Sequence, residues 1–291
     1  MRKRLFHFLL WMLPGISFCQ KEHPPATDKL FDKAHQQIDD SMYSDAIDTY
    51  RQIMKISRPN TTPFGKACYN TGYVYELLNN YTGAKQIFGQ ILKANYNEMD
   101  RGGKGSGLMG EPYALYKHNA CVELAEMSLR EKDYKLALGY IRQFDEKYPY
   151  RHFCGNEIAG NKIYTAGMYA RAFIGLGDTA EAIKRLLPHI FYNGLASNDE
   201  IVDQTVLLLL KKYDREFLLA ELNKAIENMT LKQSVQGKYK YDYYSIVFLG
   251  VNVESPYISF TDLNSETLKA DELTQRKIVA KQSAFYKKIS E

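Results

Sequence analysis

Apolar positions in this chain recur at helical spacing, and the recurrence itself repeats. Four segments, 27–60, 65–98, 118–151 and 163–196, align without gaps over 34 residues each. A small residue stands within the first predicted helix of every segment: Ala34, Gly72, Ala125 and Ala170. A second small residue opens the packing face of the second helix at Ala46, Ala84, Ala137 and Ala182. Four residues later comes a large apolar one: Tyr50, Phe88, Ile141 and Leu186. Three segments carry an aromatic at the start of the second helix (Tyr43, Tyr81, Tyr134), where the fourth has Thr179. Small residues let two antiparallel helices approach closely, and the large residue one turn on fills the groove between them. One such hairpin cannot bury its apolar face alone, so the pattern predicts a stack of hairpins with a continuous core.

The segments between and after these units read differently. Residues 97–112 form a Gly-rich loop between the second and third units. Residues 150–156 read as a turn between the third and fourth, with Gly155 as its flexible point, Asn156 as a cap and Cys154 as a small buried residue. Residues 197–230 hold one more hairpin, with Leu207–Leu210 buried and Asn198 or Asp199 as N-cap. The remainder, 231–291, is an extended segment followed by helix. Tyr, Ile, Val and Phe crowd 239–260, which predicts a β-hairpin turning at Gly250. The tail 264–289 returns to helix, capped at Asn264 or Ser265.

Three strings make a family resemblance specific: YTGAKQIFGQI (81–91), KDYKLALGYIRQFDEKYP (132–149) and GLGDTAEAIKRLL (175–187). They resemble the second half of tetratricopeptide repeats, and Pro149 falls where that family often closes a repeat. Departures are the replacement of the early first-helix aromatic by Leu30, Cys68, Cys121 and Ala166, the unequal linkers, and Pro188-His189 at the end of the last unit. The resemblance implies an all-α, tetratricopeptide-like solenoid, a right-handed superhelix with irregular stacking, ending in a small extended or β segment and a terminal helix. It also implies that the first helices line a concave face through the second, fifth, ninth and twelfth positions of each unit. Those positions include Phe31, His35, Lys66, Tyr69, Tyr73, Glu76, Asn119, Glu126, Tyr164 and Arg171. Aromatics interleaved with single charges suit a protein or peptide partner. The Lys/Asn pattern that clamps a C-terminal carboxylate in some relatives is not matched, because Phe31 and His35 stand at those places.

Composition and charge narrow the setting. Hydrophobic residues make up 45%, enough for a sizeable core, and 23 tyrosines against one Trp suit both helix packing and half-exposed surfaces. Arg2-Lys3-Arg4, the apolar run Leu5–Leu13, the Pro14-Gly15 break and Ser17-Phe18-Cys19 read as an export signal cleaved after Cys19. The run is too short to span a bilayer, and no later segment is long enough either. Phe18 before Cys19 argues against lipid attachment at that cysteine. A periplasmic or secreted destination follows. Without those three cations the formal net charge falls from +4 to +1, which gives no electrostatic case for nucleic acid. The odd set Cys68, Cys121 and Cys154 is expected to remain as thiols, since neighbouring first helices sit farther apart than a disulfide spans.

Two clusters invite chemistry. Gly105-x-Gly107-x-x-Gly110 matches a dinucleotide fingerprint by letter, but no βαβ unit surrounds it, so no nucleotide and no other cofactor is implied. His152-Phe153-Cys154 with His118 could supply a nucleophile pair or metal ligands. The sequence therefore supports an interaction scaffold first. A hydrolase or metal-dependent enzyme using Cys154, His152 and His118 is the alternative, to be decided by whether the three converge.

Overall fold

The computed structural model describes residues 25–99, 113–191, 196–236, 239–258 and 270–291. The expected signal 1–19 with Cys19, the glycines of 105–110 and the expected caps Asn264 and Ser265 lie outside the described residues.

The chain folds as a solenoid of helical hairpins, as the repeated pattern predicts. Four hairpins come first: α1 (Pro25–Asp39) with α2 (Tyr43–Ile56), α3 (Thr62–Leu77) with α4 (Tyr81–Lys93), α5 (Tyr116–Arg130) with α6 (Tyr134–Arg142), and α7 (Gly155–Gly175) with α8 (Thr179–Leu186). A fifth pairs α9 (Asp199–Leu210) with α10 (Arg215–Glu227).

The first four hairpins share one turn. Its left-handed residue is Ser41, Asn79, Lys132 and Gly177 in turn, at φ between 56° and 81°. The left-handed residue donates its N–H three residues back, and the next residue donates five back. Lys132 thus reaches Leu129 O at 3.1 Å and Asp133 reaches Ser128 O at 2.9 Å. This is the Schellman closure, which satisfies carbonyls that the helix end leaves open. The residue after it caps the second helix: Asn80, Asp133 and Asp178 accept from Gly83, Leu136 and Glu181 N–H at 3.0–3.1 Å. Met42 holds that place in the first hairpin without a side-chain bond. The fifth hairpin turns differently, with Asp214 accepting from Phe217 N–H at 2.8 Å.

Close helix approach explains the small residues. The seven alanines of the repeated pattern are fully buried, as are Tyr50, Phe88, Ile141 and Leu186. A Cβ on Gly72 would sit 2.7 Å from the Phe88 ring, so α3 and α4 cross there with no room for a methyl group. Buried clusters follow one another along the stack, from Phe31 and Tyr50 through Phe88 and Leu124 to the large C-terminal core.

Three local features depart from the sequence reading. Helix α6 ends in a π-turn, Gln143–Lys147, closed by Tyr148 N–H to Gln143 O at 2.8 Å, which turns Phe144 into the core. Helix α7 begins at Gly155 with Cys154 at its N-cap position, so Asn156 is not the cap, and Cys154 is half-exposed rather than buried. Leu207, expected within the buried run of α9, is exposed, while Leu208 and Leu209 are buried. As the Pro188-His189 interruption leads one to expect, α8 stops at Leu186 and Leu187–His189 forms a 3-10 turn.

The C-terminal part closes the last hairpin. Strands β1 (Thr230–Gln236), β2 (Tyr239–Phe248) and β3 (Val251–Glu254) form an antiparallel sheet in that order. Leu249 and Gly250, at φ 47° and 80°, make the two-residue turn between β2 and β3 that matches strand twist. The tail is two helices, α11 (Glu272–Gln282) and α12 (Ala284–Ser290), parted at Ser283. They seal the stack: Phe285 meets Phe248 edge-on at 6.0 Å, and Arg215 donates to the closing carbonyls of α12 at 2.7 and 3.0 Å. No helix among the described residues is long and apolar enough to cross a membrane.

Candidate partner-binding face

Helices α3, α5 and α7, the first helices of three consecutive hairpins, are joined by side chains that point from one to the next. Tyr69 on α3 donates its hydroxyl to Glu123 Oε1 on α5 at 2.8 Å. Arg130 on α5 reaches back to Glu76 Oε2 at 3.3 Å and lies over the Tyr81 ring at 5.4 Å. On the other side, Arg171 of α7 grips Glu126 with both nitrogens at 2.8 and 3.0 Å, and Tyr164 donates to the same carboxylate at 3.0 Å. Glu123, Glu126 and Arg130 fall at i, i+3 and i+7, one stripe of α5. The bidentate Arg171–Glu126 pair fixes direction as well as distance.

Burial sets the electrostatics of this stripe. Glu76 has only 13% of its side chain exposed, and its Oε1 is inaccessible without a hydrogen-bond donor. Burial first, and the neighbouring Glu123 next, push its carboxyl up to about 7. Burial also raises Glu123. Two carboxyls raised together on one buried stripe resist being ionised at the same time.

The expected residues sort into two groups. Tyr69, Tyr73, Glu76, Glu126, Tyr164 and Arg171 share the α3–α5–α7 face, with Tyr73 45% and Tyr164 41% exposed. Asn119 is half-buried in the first turn of α5. At the α1 end, Lys66 Nζ lies 5.1 Å over the Phe31 ring. Phe31 itself is 9% exposed and packs on Tyr50 at 6.1 Å, so it serves the core rather than the surface. His35 lies 6.5 Å from that ring and is partly exposed, and the partial burial of its imidazole, followed by Lys66, lowers its pKa. The sequence reading passed over Glu123 and Arg130. Their signal was present, one step along the stripe already marked by Glu126.

Glu98 is a further residue that sequence did not single out. Its two carboxylate oxygens accept Lys117 N–H at 2.9 Å and His118 N–H at 3.1 Å, capping α5 from outside the helix. The residue at the N-cap, Leu115, is buried at φ 45° and has no side chain able to do this.

The alternative chemical cluster does not assemble. His118 Nδ1 bonds Tyr148 O at 2.7 Å, and its ring lies 5.4 Å from both Phe144 and Tyr150. Tyr150 then stacks on His152 at 6.0 Å, so a tyrosine ring separates the two histidines. His152 Nδ1 accepts the backbone N–H of Cys154 at 3.0 Å, a local closure at the start of α7. Burial lowers the His118 pKa and keeps that ring neutral. No group of three or more metal-ligating side chains occurs among the described residues.

Clefts occur on the opposite flank of α7. One of about 540 Å³ is lined by Lys162, Tyr169, Arg185 and His189, and another of about 410 Å³ by Ile158, His189, Tyr241 and Tyr243. Neither includes a residue of the α3–α5–α7 stripe.

No known family and no curated protein matches this chain. Among solved structures it is similar to one described as the MamA RS-1 ArsTM double mutant, at 13% identity, covering 67% of this chain and 89% of that one, with a TM-score of 0.43.

Proposed function

We propose that this chain is an interaction scaffold that takes an extended protein or peptide segment along the face of α3, α5 and α7, and that it acts after export, outside the cytoplasm. The observation that supports the reading is the continuous stripe from Tyr69 to Arg171, in which paired charges alternate with the half-exposed rings of Tyr73 and Tyr164. Half-exposed tyrosines offer apolar area and a polar tip at little entropic cost. The ion pairs hold their partners in fixed directions, so an incoming backbone meets oriented donors and acceptors. The export signal 1–19 supports the compartment.

Comparative capture from an envelope fraction tests this. The mature chain and a Tyr73→Ala/Arg171→Ala variant of equal thermal stability are immobilised side by side. The reading predicts a discrete set of proteins on the wild type that falls several-fold on the variant. Identical capture by both, or none by either, contradicts it.

A further inference from the structure

We propose that β1 is an association edge through which two copies of this chain pair antiparallel, about a two-fold axis at Gln233. The sheet order β1-β2-β3 puts β1 at an edge, and among the described residues its ladder partner is β2 alone. Every second residue of an edge strand points its N–H and C=O away from the sheet, a ready template for another strand.

Natural edges are blunted by proline, by bulges or by lysines that point outward. β1 carries none of these. Its sequence, TLKQSVQ, has no proline, and its ladder with β2 runs unbroken from Thr230↔Ser245 to Gln236↔Tyr239. Its one charge, Lys232, bonds Asn252 Oδ1 on β3 and so leans inward across the sheet, away from the edge. Gln233 likewise turns inward, donating to Asp242 on β2 at 3.1 Å. Beside Thr230 and Gln233 the edge exposes two large apolar side chains: Leu231 is 56% and Val235 63% exposed, on the same face of the strand.

The sequence of β1 is self-complementary in one register. With the axis at Gln233 all seven residues pair. Leu231 then faces the second copy's Val235 and Val235 faces its Leu231, giving two apolar cross-strand pairs on one face. Lys232 faces Ser234. An axis at Lys232 instead sets like charges directly opposite each other. An axis at Ser234 leaves Leu231 beyond the end of the partner strand. Each alternative also shortens the ladder. The occupant this edge fits is therefore a second β1, which would merge two sheets into one of six strands and place two α3–α5–α7 faces on one particle.

Two measurements on the chain without residues 1–19 test the pairing. In the first, sedimentation compares the wild type with Leu231→Lys and Val235→Lys, whose native helix content is checked by circular dichroism. The expected result is a dimer that becomes a monomer in both variants. The second uses a Cys154→Ser background and Gln233→Cys. Facing residues of an antiparallel pair lie about 4.5–5.5 Å apart between Cα atoms, within the span of a disulfide. Gln233→Cys should therefore oxidise to a covalent dimer. Thr230→Cys, whose mate would lie roughly 20 Å along the ladder, should not. A wild type that stays monomeric, a dimer indifferent to Leu231→Lys, or equal cross-linking at 230 and 233 would overturn the proposal. None of these outcomes bears on capture by the α3–α5–α7 face.

Discussion

At the scale of single residues, the repeated small positions mark where two helices have no space between them, and that space differs from one glycine to the next. Gly72 meets the Phe88 ring, whereas a Cβ on Gly139, mid-way along α6, would touch nothing within 4 Å. The same substitution should therefore have opposite signs. Gly72→Ala is expected to destabilise by about 1–3 kcal/mol through overpacking. Gly139→Ala should stabilise by roughly 0.5–1 kcal/mol through helix propensity. Thermal melts of the two variants decide it, and shifts in the same direction would refute the crossing geometry. The thiols give a second residue-scale test. Burial raises Cys68 and pushes Cys121 up to about 12, while Cys154 is half-exposed. An alkylating reagent should label Cys154 first in the native chain and all three after denaturation. Loss of any of the three from the denatured count would mean a disulfide that the structure does not contain.

At the scale of elements, the turn is what sets the spacing of the repeat. Its left-handed residue is Gly in only one of four hairpins, so no glycine signature advertises it. The Asn and Asp that cap the second helices were not singled out in the sequence, and Asp133 is representative. Asp133→Ala should cost about 0.5–2 kcal/mol, because Leu136 N–H loses its acceptor at the start of α6. A chemical-denaturation midpoint unchanged by this variant would show that the cap contributes nothing. Other elements were not legible, for identifiable reasons. The cap on α5 comes from Glu98, which lies eighteen residues before Tyr116 and is brought to it only by the fold. Strand β1 is a mostly polar string whose extended form depends on pairing with β2, so no local periodicity announces it. The break between α11 and α12 turns on Ser283, a modest signal inside a polar stretch.

At the scale of the whole molecule, the buried pair Glu76 and Glu123 with Arg130 ties the second hairpin to the third, and Arg171 with Glu126 ties the third to the fourth. The position of Glu76 on the first-helix face was readable from the repeat, but its nearness to Glu123 was not, since it depends on how two hairpins stack. That pair gives the stack a pH dependence of definite sign. Glu76 holds its proton more tightly when folded, at about 7 against an ordinary 4.5. Its contribution is present in full below 4.5 and is lost as pH rises through 7. His35, His118 and His189 act oppositely. Burial lowers each below 6.5, so their contribution is lost as pH falls. The wild-type melt alone mixes the two. The difference between wild type and Glu76→Gln isolates the carboxyl: the variant should gain on the wild type by a few degrees between pH 5 and pH 8. A difference independent of pH would show that Glu76 is ionised throughout.

The central claim is that a partner segment lies along α3, α5 and α7. Site-specific photo-crosslinking tests it most directly. A photoreactive residue is placed in turn at Tyr73, at Tyr164, and at Phe217 on α10, which is 42% exposed and away from the stripe. Irradiation in the native envelope fraction should give the same protein adduct at 73 and 164 and none at 217. Adducts at 217 alone, or different proteins at 73 and 164, would contradict a shared binding face.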